Sequence, residues 1–216
     1  FRKDFDLESN EIAFATAYIS ARGWAEPYIN GKRLDEKEVM APAHSRKKNN
    51  AYLRAYDVTD FLKQGKNAIG VVLGNGYSSY FRPGFSYVGG KALWVYISVT
   101  FTDGSYANII SDSSWKWSKG PITKDHIYDG EWYDATKEID GWNTPDYCDD
   151  SWENASVSEY QNSLVTLFAP PVRILGSREC VGINKIADNK YIYDFKYNGS
   201  GVLKIKVKGD KGAEIV

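Results

Sequence analysis

AFATAYISARGWAEPYINGKRL, residues 13–34, decides the fold class. From Ala13 to Ser20 the side chains alternate with period 2, the pattern of a strand with one buried face. Trp24 to Ile29 reads as a second strand. Asn30-Gly31 follows, the pair that suits a two-residue type I′ turn because both central positions need φ > 0. The chain then re-enters a strand at Lys32-Arg33-Leu34. Working outward, strand patterns recur over Phe1–Leu7, Ala68–Leu73, Ala92–Phe101 and Tyr106–Ser111, with Asp103-Gly104 turning between the last two. One short helix is expected at Val58–Lys63, capped by Asp57 or Thr59 and ended by a left-handed Gly65. Short strands with regular turn punctuation indicate an all-β sandwich. There is no internal repeat and no low-complexity segment.

A boundary is expected between about residues 155 and 170, where the segment ending Trp152-Glu153-Asn154 gives way to the stiff Ala169-Pro170-Pro171. Residues 1–158 form the first domain in this reading. Residues 159–216 hold a linker and the first strands of a second β-sandwich: Val172–Leu175, Lys190–Phe195, Gly201–Lys208 and Ala213–Val216 are all strand-like. The chain opens and closes on strand-like sequence, which reads as a piece of a longer protein.

Composition narrows the function classes. With 216 residues and 43% hydrophobic content, a packed core is accessible. Net charge is −1, from 27 basic and 28 acidic residues, so no single-sign field invites nucleic acid or an anionic membrane. No apolar run is long enough to span a bilayer. Cys148 and Cys180 have no metal-ligand spacing and leave the compartment open, with a secreted or periplasmic one favoured over the cytoplasm. His44 and His126 stand singly and read as ordinary polar residues. The 7 Trp, 16 Tyr and 9 Phe are the informative excess. Aromatics serve strands and cores, and their apolar faces with polar edges also suit sugar rings.

Several segments, in order, carry a family resemblance. They are Tyr28-Ile29-Asn30-Gly31-Lys32, Leu73-Gly74-Asn75-Gly76-Tyr77, Thr102-Asp103-Gly104-Ser105, Ser111-Asp112-Ser113-Ser114-Trp115-Lys116 and Gly120-Pro121-Ile122. Then come Tyr128-Asp129-Gly130-Glu131-Trp132-Tyr133-Asp134-Ala135, Gly141-Trp142 and Asp149-Asp150-Ser151-Trp152. This series resembles the N-terminal β-sandwich of bacterial α-L-rhamnosidases. Pro170-Pro171-Val172-Arg173 and Tyr193–Gly201 resemble the start of that family's next β domain, whose usual form has Gly where Lys196 stands. The resemblance implies a jelly-roll (galactose-binding-like) sandwich. It implies a parent enzyme that is an inverting glycoside hydrolase, with an acid and a base set apart by a water. In the family both carboxylates lie in an (α/α) barrel further along the chain. No barrel sequence occurs here, so no catalytic residue is assigned. The implied partners are that barrel and a rhamnose-containing carbohydrate.

Two groups of residues are candidates. Asp129, Glu131, Tyr133 and Asp134 read as a structural or domain-interface loop. Asp129 and Glu131 are expected on one strand face, close enough to shift each other's pKa. The aromatic loop 75–87 reads as either a sugar-contact or a packing loop. In the sugar reading Tyr77, Tyr80 or Phe81 stacks on a ring and Arg82 bonds hydroxyls. Asn30 and Asn75 sit in glycine-flanked turns. Some modules resembling this domain hold rhamnose through calcium, and these two would supply oxygens to sugar or ion.

Overall fold

A computed structural model describes residues 1–8, 10–43, 50–79, 91–159, 163–166, 168–210 and 212–216. It divides into two compact units, Phe1–Arg173 and Ile174–Val216. The first unit holds β1 (Arg2–Leu7), β2 (Ile12–Arg22), β3 (Trp24–Ile29), β4 (Lys32–Arg33), β5 (Asn50–Asp57), β6 (Gly65–Gly74) and β7 (Ala92–Phe101). It continues with β8 (Tyr106–Ile110), β9 (Lys116–Trp117), β10 (Ile122–His126), β11 (Gly130–Tyr133), β12 (Glu153–Asn154) and β13 (Ser163–Thr166). One sheet has the order β12-β9-β1-β6-β3-β4 and the other β13-β5-β2-β7-β8, while β10 and β11 form a separate hairpin. Among the described residues no helix is long and apolar enough to cross a membrane.

Alternation explains the sandwich. Along β7, Val95, Ile97, Val99 and Phe101 are buried, while Trp94, Tyr96, Ser98 and Thr100 between them stay partly open. Beside them in the same sheet lie Ala15, Ala17 and Ile19 of β2, and Ile29 of β3 with Ile69 and Val71 of β6 close the core from the other sheet. The expected all-β class and the strands of residues 13–34 are those observed. Asn30 and Gly31 take φ of 51° and 82° between β3 and β4. Outside that stretch, β5 and the hairpin β10–β11 carry weaker alternation, and their sequences do not announce them as strands.

The helix expected at Val58–Lys63 is a single 3-10 turn, Thr59–Phe61. Its N-cap is Val58, which makes no side-chain capping bond; Asp57, one residue earlier, accepts from the Thr59 N–H at 3.0 Å. Side chains from elsewhere stop it. Asn30 Nδ2 donates to the Phe61 carbonyl at 2.8 Å, and the Lys63 N–H donates to Asn67 Oδ1 at 3.0 Å. The groups that would extend an α-helix are therefore drawn sideways.

Many of the aromatics are structural. Trp142 lies on Gly70 of β6 so closely that a Cβ there would fall 2.5 Å from the indole. Tyr28 meets Trp142 edge-on at 5.8 Å, and Trp152 stacks on it at 6.3 Å. Arg2, its side chain wholly buried, donates to the Trp142 carbonyl at 2.9 Å and pairs with Asp149, which also binds Lys116. The segments Gly141-Trp142 and Asp149–Trp152 thus strap the outer face of the six-stranded sheet.

The second unit contains the antiparallel hairpin β14 (Gly182–Ala187) and β15 (Lys190–Asp194). Ile183, Ile186, Tyr191, Ile192 and Tyr193 are each at least half exposed. The expected strands at Gly201–Lys208 and Ala213–Val216 are not formed, and Val172–Leu175 contributes only a single bridge at Arg173. A strand needs a neighbour for its N–H and C=O groups, and no described strand pairs with 201–208. Lys196 adopts φ 49°, the left-handed conformation that glycine takes at least cost, at the position where the resembling family has Gly.

A candidate binding cleft beneath the β10–β11 hairpin

The hairpin β10–β11 stands over one end of the six-stranded sheet and encloses a cleft of about 400 Å³. Its other walls are Trp24–Pro27 of β3, parts of the segment 33–41, and the end of β6 with Gly76. Among the described residues, Asn75 and Asp125 tie the hairpin to the sheet. Asp125 accepts the Asn75 backbone N–H and, at 2.6 Å, its side-chain amide, which also reaches the Asp125 carbonyl at 3.1 Å. Gly74 makes room for this, since a Cβ there would stand 3.1 Å from the Asp125 carboxylate. Gly76, at φ 50°, lies on the Trp24 ring, and Tyr77 meets that ring edge-on at 6.0 Å.

The carboxylates lining the cleft differ in state. Glu26 is held by the Tyr28 hydroxyl and by Arg33 at 2.9 Å. Glu38, only 4% exposed, takes Arg54 Nε at 2.5 Å and the Tyr56 hydroxyl at 2.7 Å. Asp35 receives a two-pronged bond from Arg173, and Asp125 is bound to Asn75. Glu131 alone among these five has no hydrogen-bond or ion-pair partner among the described residues. Its carboxyl is pushed above the ordinary glutamate range, first by burial, then by the charges of Asp125 and Glu26. His126 Nδ1 accepts the backbone N–H of Tyr128 at 3.2 Å and Asp129 at 3.1 Å, which places the ring proton on Nε2. Among the described residues the cleft thus offers the unpartnered Glu131 carboxyl, the His126 ring, and apolar surface from Trp24 and Met40. That mixture suits a polyhydroxylated ring.

The candidate residues fall in different places. Asn30 is half-buried and turned to the fold: its amide donates to Phe61 O and to Asn67 Oδ1 at 2.8 Å, and its oxygen accepts the Ala68 N–H at 2.9 Å. It holds structure and presents nothing to the cleft. Asn75 and Tyr77 border the cleft. Tyr80, Phe81 and Arg82 lie outside the described residues, as does His44. Glu131 faces the cleft. Asp129 does not share its strand face: Gly130, at φ 87°, turns the chain, and Asp129 stands in the turn above His126. The residue opposite Glu131 is Asp125, across the hairpin. Tyr133 bonds Glu138, which with burial pushes the phenol up to about 12. Asp134 caps the 3-10 turn Ala135–Lys137. Bonds from the Thr136 hydroxyl, Lys137 and the Thr136 N–H hold its carboxyl down at about 2. Among the described residues no three His, Cys, Asp or Glu side chains are grouped to hold a metal. Sequence reading missed Trp24, Glu26, Glu38 and Asp125 as cleft residues. They come from separate segments and carry no local signature.

The sequence model of the α-L-rhamnosidase N-terminal domain matches residues 10–176. The chain belongs to this family. An α-L-rhamnosidase of Formosa agariphila is 33% identical over 219 residues, covering 95% of this chain and 23% of that protein. The structure of α-L-rhamnosidase from Dictyoglumus thermophilum superposes with a TM-score of 0.82 at 38% identity, over 90% of this chain and 21% of that one. The Streptomyces avermitilis α-L-rhamnosidase, solved in complex with L-rhamnose, gives 0.84 at 26% identity, over 90% and 19%. The chain spans between 21% and 24% of the length of the curated relatives it matches.

Proposed function

We propose that this chain is the non-catalytic accessory region of an α-L-rhamnosidase, a glycoside hydrolase that removes terminal α-L-rhamnose from glycosides or polysaccharides. In this reading the accessory sandwich takes in β13 beyond residue 158, and the chain after Arg173 opens a second β domain. The region braces the catalytic (α/α) barrel of the parent, and its cleft contacts the rhamnose-containing carbohydrate.

The observation that carries this reading is the state of the cleft carboxylates. Glycoside hydrolysis needs two of them, one to protonate the leaving oxygen and one to act as base or nucleophile. Here Glu26, Asp35, Glu38 and Asp125 are already bound to Tyr, Arg or Asn partners, and Glu131 is left alone. A single free carboxyl beside Trp24 favours holding a sugar over cleaving one. L-rhamnose titrated into the purified chain, with and without calcium, is expected to give heat and to shift the Trp24 and Tyr77 signals. An aryl rhamnoside is expected to show no turnover. Turnover would overturn the non-catalytic assignment, and the absence of heat and shifts in both titrations would remove sugar contact.

A second reading, a purely structural interaction domain, is favoured by the exposed apolar side chains on the hairpin β14–β15.

A further inference from the structure

The cleft wall over residues 35–41 has almost no regular structure, and part of what holds it comes from the far end of the unit. Asp35 accepts the N–H groups of Lys37 at 3.0 Å and Glu38 at 3.2 Å, which closes a turn. The same carboxylate takes both prongs of Arg173: Nη1 to Oδ2 at 2.6 Å and Nη2 to Oδ1 at 2.9 Å. Burial works to raise its pKa, but the Lys37 N–H and Arg173 outweigh it and hold the carboxyl low. The backbones follow, with the Val39 N–H donating to Val172 O at 3.0 Å and Glu38 bridging Arg173. Beyond them Ala41 O accepts the Ala25 N–H of β3 at 2.7 Å. Met40, between these two pins, is held at φ 57°. A non-glycine residue stays in that region only where its surroundings force it.

We propose that the segment Pro170–Arg173 is a latch that keeps the cleft wall in its binding shape, with Arg173 a positioning residue acting through Asp35. An open latch takes two charge-assisted bonds from Asp35 and the acceptor from Val39. Met40 then has one pin instead of two and relaxes out of the left-handed region, which moves its side chain in the cleft. Arg173 is also the last residue of its compact unit. The position of the chain at this exit and the shape of the cleft are therefore one equilibrium. If the cleft binds sugar, as proposed above, a ligand that needs the closed wall favours the latched chain by the same factor that the latch favours the ligand.

The test uses the whole chain and needs no sugar, so its outcome is separate from that of the sugar reading. Met40 is the single methionine, and its methyl resonance reports on the wall without ambiguity. In Arg173→Gln the amides of Val39 and Met40 are expected to exchange about tenfold faster, as for the loss of a charge-assisted hydrogen bond. The Met40 methyl signal shifts or broadens, and the amides of β2 and β7 are unchanged. Arg173→Lys keeps the charge without the fork and recovers only part of the protection. An Arg173→Gln chain with an intact core whose Met40 methyl and wall amides match the wild type overturns the proposal. Should that variant not fold, Asp35→Asn keeps the turn acceptor and removes the charge. The same two signals then decide: faster wall exchange with a moved methyl supports the latch, and a match to wild type overturns it.

Discussion

Two asparagine–glycine turns in this chain look alike in sequence and do opposite things. At Asn30-Gly31 the half-buried Asn30 side chain makes three bonds to Phe61, Asn67 and Ala68. Both residues of this turn take positive φ. Asn75-Gly76 lies at the rim, and Asn75 gives its backbone and side-chain N–H groups to Asp125 of the hairpin. The first turn joins parts of the core. The second fastens the separate hairpin to it and so shapes the cleft. A glycine-flanked asparagine marks a place where the backbone bends, and what its amide then reaches is a matter of distant neighbours.

Asn30→Ala is the strongest way to break the comparison. It strands the Ala68 N–H and removes donors from two acceptors, and it is expected to cost about 3 kcal/mol in urea unfolding. A loss below about 1 kcal/mol would mean the turn is replaceable and the contrast is false. Asn75→Ala is expected to cost less, about 1 kcal/mol globally, while amides of β10 and β11 exchange at least about tenfold faster than those of β2 and β7. Uniform acceleration across both sheets would show that the hairpin is no separate part.

The smallest effect concerns Glu131. Its carboxyl pKa is raised in the folded chain, first by burial and then by Asp125 and Glu26. The folded state therefore holds that proton more tightly than the unfolded chain. The stabilising contribution is present below the ordinary glutamate pKa and fades as pH rises through the raised one. Glu131→Gln removes this step, so the variant gains slightly at pH 7 and little at pH 4. Parallel stability–pH curves for variant and wild type would show that the cleft does not bear on Glu131. L-rhamnose binding to the same variant should weaken as well, since the one cleft carboxylate without a partner among the described residues is changed.

Much of the first unit was legible in sequence. Residues 92–101 read as a strand and are one, because alternate side chains bury in the core and backbone pairing follows locally. The misreadings have physical causes too. Val58–Lys63 has the cap and the stop of a helix, but Asn30 and Asn67 take its carbonyl and N–H groups first. Gly201–Lys208 alternates like a strand, and Val202, Leu203, Ile205 and Val207 remain exposed without a described partner strand. Pattern states what a segment is able to do, and pairing decides whether it does it.

By itself the sequence determined the all-β class, the central strands and the turn at Asn30-Gly31, since period-2 burial and positive φ are local demands of the chain. Its ordered motifs also pointed to the family. Only the tertiary structure decided which carboxylates are free. Glu26, Glu38, Asp125 and Glu131 are equal in sequence, and their difference comes from Arg33, Arg54, Asn75 and the lack of any such partner among the described residues. Charge and hydrogen bonding act through space, and the fold brings together groups from distant segments, as with Asn75 and Asp125, 50 residues apart.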